Sequence, residues 1–152
     1  MKKTVLIVLA LLFSAGIYAQ NRGVAPLAKG DKQLNFGTGF SSNGLPVYVS
    51  MDFAVHKDVT ISPQVHVKFD DDDVKGGILV KGDYHWNYLI GIPSNWDFYA
   101  GARVGVDFGD ATDLNLGIHV GGRWYWSDKW GLNLELGGGT GFGTQFGLSM
   151  IL

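Results

Sequence analysis

An alternation of apolar with small or polar residues runs in segment after segment from Gln33 to Leu152, and no helical spacing interrupts it. A period of two is the mark of a strand, because successive side chains leave a strand on opposite faces. Leu34, Phe36 and Phe40 carry the first segment; Val47 to Val55, Ile61 to Phe69 and Ile78 to Trp86 carry the next three. The fifth runs from Phe98 to Phe108. The sixth sets Leu114, Leu116, Ile118, Val120, Trp124 and Trp126 against Asn115, Gly117, His119, Gly121, Arg123 and Tyr125. Leu132 to Leu136 and Phe146 to Leu152 complete a set of eight. The connections between them, 41–44, 56–58, 70–76, 87–95, 109–112, 127–129 and 138–141, are short and rich in turn residues. Short links require antiparallel neighbours, and an even strand number lets the last strand pair with the first, which removes both open edges. The expected fold is all-β, an eight-stranded antiparallel up-and-down transmembrane β-barrel over 32–152.

Alternation alone does not tell a soluble barrel with an apolar interior from a membrane barrel with an apolar exterior. Charge and aromatic placement separate them. The apolar face of the segments carries no charge, while the other face carries Asp52, Lys68, Lys81, Asp83, Arg103, Asp107, Arg123 and Glu135 among Gly, Tyr, His and Asn. Balanced ions beside glycine suit a narrow lumen, where glycine makes room for Tyr and Arg. With the first strand running away from the periplasm, Phe40, Phe69 and Phe108 fall at the outer rim. Tyr84, Trp86, Trp96, Phe98, Trp124, Trp126 and Trp130 fall at the inner one, so the aromatics form two interfacial girdles.

The first residues have the layout of an export signal: Lys2 and Lys3, nine apolar residues from Val5 to Phe13, the small residues Ser14, Ala15 and Gly16, then Ala19 before Gln20. Nine residues rise roughly 13 Å as a helix, too little to span a bilayer core. Cleavage after Ala19 is expected, leaving 20–31 as an N-terminal periplasmic segment ahead of the barrel at 32–152. Removing Lys2 and Lys3 takes the formal charge from -2 to -4, so nucleic acid is not an expected partner. The chain has no Cys, which excludes disulfides, thiolate metal sites and a lipidated cysteine.

This signal, the strand count and a tail that alternates up to Leu152 together resemble the small outer-membrane barrels of Gram-negative bacteria, the OmpA and OmpX type. Tyr84 to Gly101 (YHWNYLIGIPSNWDFYAG) is similar to the fourth-turn region of the porin-like barrel proteins common in Bacteroidetes. Members of that group usually end in an aromatic residue, so Leu152 is a departure. The resemblance implies a monomer in the cell outer membrane, with outer-membrane lipids, lipopolysaccharide and the outer-membrane assembly machinery as partners.

Within the lumen, pairing about 109–112 is expected to set Arg103 opposite His119 and Arg123 opposite Tyr99, and pairing about 127–129 to set Glu135 opposite Gly121. Glu135 then lies diagonal to Arg123 and His119, and an ion network of Glu135, Arg123 and Arg103 is expected across the barrel. The run Asp70, Asp71, Asp72, Asp73 lacks the ligand spacing of a calcium loop and reads first as a solvated tip, with a weak divalent site as the second reading. Gly137 to Gly143 (GGGTGFG) lacks the Lys and the helix of a phosphate loop. His66, His85 and His119 fall on three strands and read as lumen hydrogen-bonding groups, not as metal ligands. Those histidines, with Ser50, Ser62 and Ser149, face inward, away from any lipid substrate, so no enzyme and no cofactor are expected. The expected role is structural or one of surface interaction, the alternatives being a narrow channel for small solutes or ions and a soluble periplasmic lipocalin-like binder.

Overall fold

A computed structural model describes residues 25–41, 44–71, 73–140 and 143–152. The proposed signal at 1–19 and Asp72 lie outside the described residues. Eight strands follow in order: β1 (Lys32–Phe40), β2 (Leu45–His56), β3 (Val59–Asp70), β4 (Asp73–His85), β5 (Trp96–Phe108), β6 (Thr112–Tyr125), β7 (Trp130–Gly139) and β8 (Thr144–Ile151). Each pairs antiparallel with the next, and β1 pairs with β8 from Gln33↔Ile151 to Phe40↔Thr144, closing the barrel. Closure satisfies both edges of every strand, as the even count requires. The end where β1 begins and β8 stops is called proximal below, and the other end distal.

The core is the lumen, and it is polar. Gln33, Asp52, Gln64, Lys81, Asp83, Arg123 and Glu135 are buried, while Val65, Ile78, Val104, Ile118 and Leu134 on the opposite face are exposed. Parity along each strand decides which is which, so the two faces read from the alternation are the two faces of the barrel wall.

Three local features differ from the sequence reading. The β5–β6 connection is tighter than expected: the strands run on to a Phe108↔Thr112 pair, and the register slides by two residues. Arg103 therefore faces Gly117 instead of His119, His119 faces Gly101, and Arg123 faces Asp97 instead of Tyr99. A slip of two keeps every side chain on its face, whereas a slip of one would have inverted the strand. Gly121↔Glu135 pairs as expected. Similarly, β3 and β4 extend to an Asp70↔Asp73 pair, reducing the expected 70–76 connection to a tight turn.

The second difference is a helical turn, α1 (Asn87–Ile90), in the β4–β5 connection, ended by Gly91 in the left-handed region at φ 61°. One turn is too short to display a hydrophobic period. Third, Pro63 interrupts the β2–β3 ladder, which passes from Ser50↔Gln64 to Phe53↔Ile61. Proline lacks the N–H that the ladder needs there.

Candidate functional site: a charged lumen inside an apolar wall

At the proximal level of the lumen, Arg123 on β6 donates from Nη1 to Asp97 at 2.9 Å and from Nη2 to Asp52 at 2.6 Å. Its guanidinium also lies 4.4 Å from the Tyr99 ring centroid. Asp52 takes a further bond from the Gln33 amide at 3.1 Å, and the Tyr125 hydroxyl donates to the same Gln33 side chain. His85 spans two partners, with Nδ1 2.7 Å from Asp97 and Nε2 3.0 Å from the Thr60 hydroxyl. Asp97 is thus held from both sides.

At the central level Glu135 accepts from the Lys81 ammonium at 2.8 Å and from the Tyr99 hydroxyl at 3.2 Å. His119 donates from Nε2 to Asp83 at 2.5 Å. On the β1–β8 side a neutral chain runs from the Tyr48 hydroxyl to Asn133 at 2.7 Å, from Asn133 to Ser149 at 3.0 Å, and from Ser149 to Asn35 at 2.7 Å. At the distal level Asp107 collects Lys68 at 2.5 Å, His66 at 2.9 Å and Asn115 at 3.0 Å.

The ion network read from sequence named Glu135, Arg123 and Arg103, with His119 diagonal to Glu135, and the structure gives Glu135 and Arg123 other direct partners and sets His119 on Asp83. Glu135 bonds Lys81, Arg123 bonds Asp52 and Asp97, and the Arg103 guanidinium lies against Gly117 and Gly137, within electrostatic reach of Glu135 and Asp107. Asp52, Lys81 and Asp83 were visible as inward charges but not as partners, and Asp97 was not read as inward at all. The signal that could have found Asp97 is the cross-strand pair to Arg123, which the slipped register concealed.

Glycine makes these contacts possible. A Cβ at Gly121 would strike the hydroxyl end of the Tyr99 ring, and one at Gly77 would strike His66 and Asp107. The lumen is tightly filled: Asp52, Gln64, Lys81, Asp83, Arg103, His119, Arg123 and Glu135 are each 0–3% exposed. At the proximal mouth Ala25 and Leu27 are buried, and Ala25 and Pro26 line a cavity of about 580 Å³ with Asn95, Tyr125 and Ile151. This segment is tied to β2 through Gly30 N–H to Ala54 O at 2.8 Å and Ala54 N–H to Asp31 O at 3.1 Å.

The outer wall is apolar between its rims, with Lys32 at the proximal end of β1. The structure places Phe40, Phe69 and Phe108 at distal strand ends, where Phe146 joins Phe40 with ring centroids 5.9 Å apart. Tyr84, Trp86, Trp96, Phe98, Trp124, Trp126 and Trp130 lie at the proximal end, with Trp96 stacked on Phe98 at 5.8 Å and 6.3 Å from Trp124. Phe36, halfway along β1, departs from this sorting. The aspartate run sits at the β3–β4 turn, where Asp70 accepts from Asp71 N–H at 3.0 Å and Asp73 from Val74 N–H at 2.8 Å. Among the described residues no three His, Asp or Glu converge as a metal site. Each lumen histidine instead meets its own carboxylate at a different level.

No family model matches the sequence, and no curated protein matches it. Among solved structures it is similar to a de novo designed transmembrane β-barrel, with a TM-score of 0.67 and 13% identity over 83% of this chain and 98% of that one. It is likewise similar to the N-terminal β-barrel domain of Pseudomonas aeruginosa OprF, with a TM-score of 0.63 and 14% identity over 82% of this chain and 98% of that one. At such identities the likeness is one of architecture: the chain has the closed eight-stranded antiparallel fold that small outer-membrane barrels share.

Proposed function

We propose that the chain is an integral outer-membrane barrel whose lumen is closed by its own ion pairs, with a structural or surface-interaction role. One observation carries this reading: the polarity of the barrel is inverted. Val65, Val74, Ile118 and Leu114 are 57–72% exposed on one continuous wall, while the ionic side chains are buried inside it. Water would penalise such a wall at about 25 cal/mol per Å², and soluble monomers rarely expose apolar patches beyond a few hundred Å². Hydrocarbon does not penalise it, and the aromatic rims match the two headgroup layers. Among the described residues no helix is long and apolar enough to cross a membrane.

A lipocalin-like binder needs the opposite arrangement, an apolar cavity inside a wetted wall. A lipid hydrolase needs a nucleophile and a base on the outer face at headgroup depth. Ser50, Ser62, Ser149, His66, His85 and His119 are instead buried in the lumen. The proposed signal at 1–19 provides export. Envelope lipids including lipopolysaccharide are the proposed contacts, and the assembly machinery the proposed route of insertion. Fractionation tests this: the protein should sediment with outer membranes, resist carbonate extraction and run heat-modifiably as a folded barrel. Release by carbonate into the soluble fraction would overturn the proposal.

A further inference from the structure

The β4–β5 connection exposes Tyr88, Leu89 and Ile90 to 68%, 66% and 61%, three consecutive large apolar residues beyond the end of a strand. They are held out, not merely left out. Asn87 is fully buried, and its amide donates to Trp96 O at 2.6 Å. The turn closes through Ile90 N–H to Trp86 O at 3.2 Å and Gly91 N–H to Asn87 O at 3.0 Å. The buried Asn87 fixes the start of α1 against β5, so the turn cannot rotate its apolar residues inward without breaking the bond to Trp96.

Consecutive helical positions are about 100° apart, so three of them sweep about 200° around the axis. A protein groove covers one stripe of a helix, spaced by three and four residues, and would leave at least one of these side chains in water. A fluid apolar layer covers all three. The position of α1 matches such a layer. The Lys57 ammonium lies 4.1 Å from the Tyr88 ring centroid and within electrostatic reach of Tyr84, a residue 41% exposed on the outer wall of β4. Tyr88 therefore continues the outer wall and does not hang beneath the mouth. Lys57 is 59% exposed along its side chain and hydrogen-bonds Asp58 at 2.6 Å, a contact that holds its pKa above the ordinary lysine value. It is a cation at the level of the proximal aromatic girdle.

We infer that α1 and Lys57 form an interfacial foot, in which Tyr88, Leu89 and Ile90 enter the headgroup region of the adjacent leaflet and Lys57 faces glycerophospholipid phosphates. This rests on the membrane-spanning reading of the barrel. Lys57 keeps its ammonium over the Tyr88 ring and beside Asp58, an exposed cation on an aromatic platform of the kind that meets phosphate at an interface.

Because the chain has no Cys, a single cysteine can be labelled without background. Leu89→Cys and Val104→Cys, each carrying an environment-sensitive fluorophore, are reconstituted in phosphatidylcholine and phosphatidylglycerol vesicles. The vesicles contain a nitroxide either on the headgroup or deep in the acyl chain. The Leu89 probe should lose fluorescence mainly to the headgroup nitroxide, and the Val104 probe mainly to the deep one. A Leu89 probe that neither nitroxide quenches, beside a Val104 probe that the deep one does, would overturn the foot and leave the barrel reading standing. Neither probe responding would overturn the barrel reading itself.

Discussion

Glu135 takes its cation from β4, 54 residues away in the chain, and not from the Arg123 that flanks it diagonally on β6. Removing the carboxylate leaves the Lys81 ammonium buried without its counter-ion, and breaking a buried pair from one side costs about 3 to 5 kcal/mol. Glu135→Ala should show that loss in urea titrations of the folded barrel in vesicles. Combining it with Lys81→Met should recover more than about 1 kcal/mol of coupling, because the pair disappears together. The same cycle with Arg123→Met should couple less, since Arg123 rests on Asp52 and Asp97. Equal or stronger coupling to Arg123 would contradict this pairing. Gly121→Ala is the steric counterpart: the new methyl meets the Tyr99 ring whose hydroxyl bonds Glu135. A loss of about 1 to 3 kcal/mol is expected from overpacking, and an unchanged midpoint would show that Tyr99 has room to move.

Strands put these residues on the inside by parity, and the same parity puts Val104 on β5 and Ile118 on β6 outside, 53% and 72% exposed. On the proposed membrane-spanning reading, arginine at either position would place a guanidinium against hydrocarbon at mid-depth. Val104→Arg and Ile118→Arg should each lower barrel stability by about 2 to 4 kcal/mol in lipid vesicles. An inward change that leaves the ion pairs intact, such as Ser62→Ala on β3, should be milder. Arg variants as stable as the parent would remove the lipid-contact reading of the wall. Faces were legible from sequence at this scale because they depend only on odd or even position. Register was less legible, since the β5–β6 pairing turns on how far two strands continue into a loop, and the turn formers Gly109 and Asp110 mark that loop without fixing which residue pair closes it.

For the whole molecule the question is whether the lumen conducts. Eight strands enclose a space that side chains can just fill, and here Tyr48, Tyr99, Lys81, Arg103 and Arg123 fill it with at most 3% of their surface accessible. A water column wide enough to carry ions would have to pass these groups and expose them. Purified protein in planar bilayers should therefore give no stable stepwise currents. Reproducible steps that vanish when Gly117 or Gly147 is replaced by a bulky residue would favour a channel through the glycine-lined part of the lumen. The proximal mouth adds a second obstruction, because Leu27 is 4% exposed there and its segment is hydrogen-bonded to β2.

Strand number, closure and the inverted polarity follow from the sequence by itself, because a two-residue period is a local property that survives a register slip of two. Which ions meet was decided by the tertiary structure. Arg123 on β6 reaches Asp52 on β2, and Lys81 on β4 reaches Glu135 on β7, between strands that are not neighbours in the sheet. Such contacts arise when a curved sheet closes on itself and brings opposite walls within a side chain's length, a distance that no pairwise register contains. The turn at Asn87–Ile90 escaped for the complementary reason: its shape is set by the buried Asn87 amide and the Gly91 cap, and one turn is too short to leave a period in the sequence.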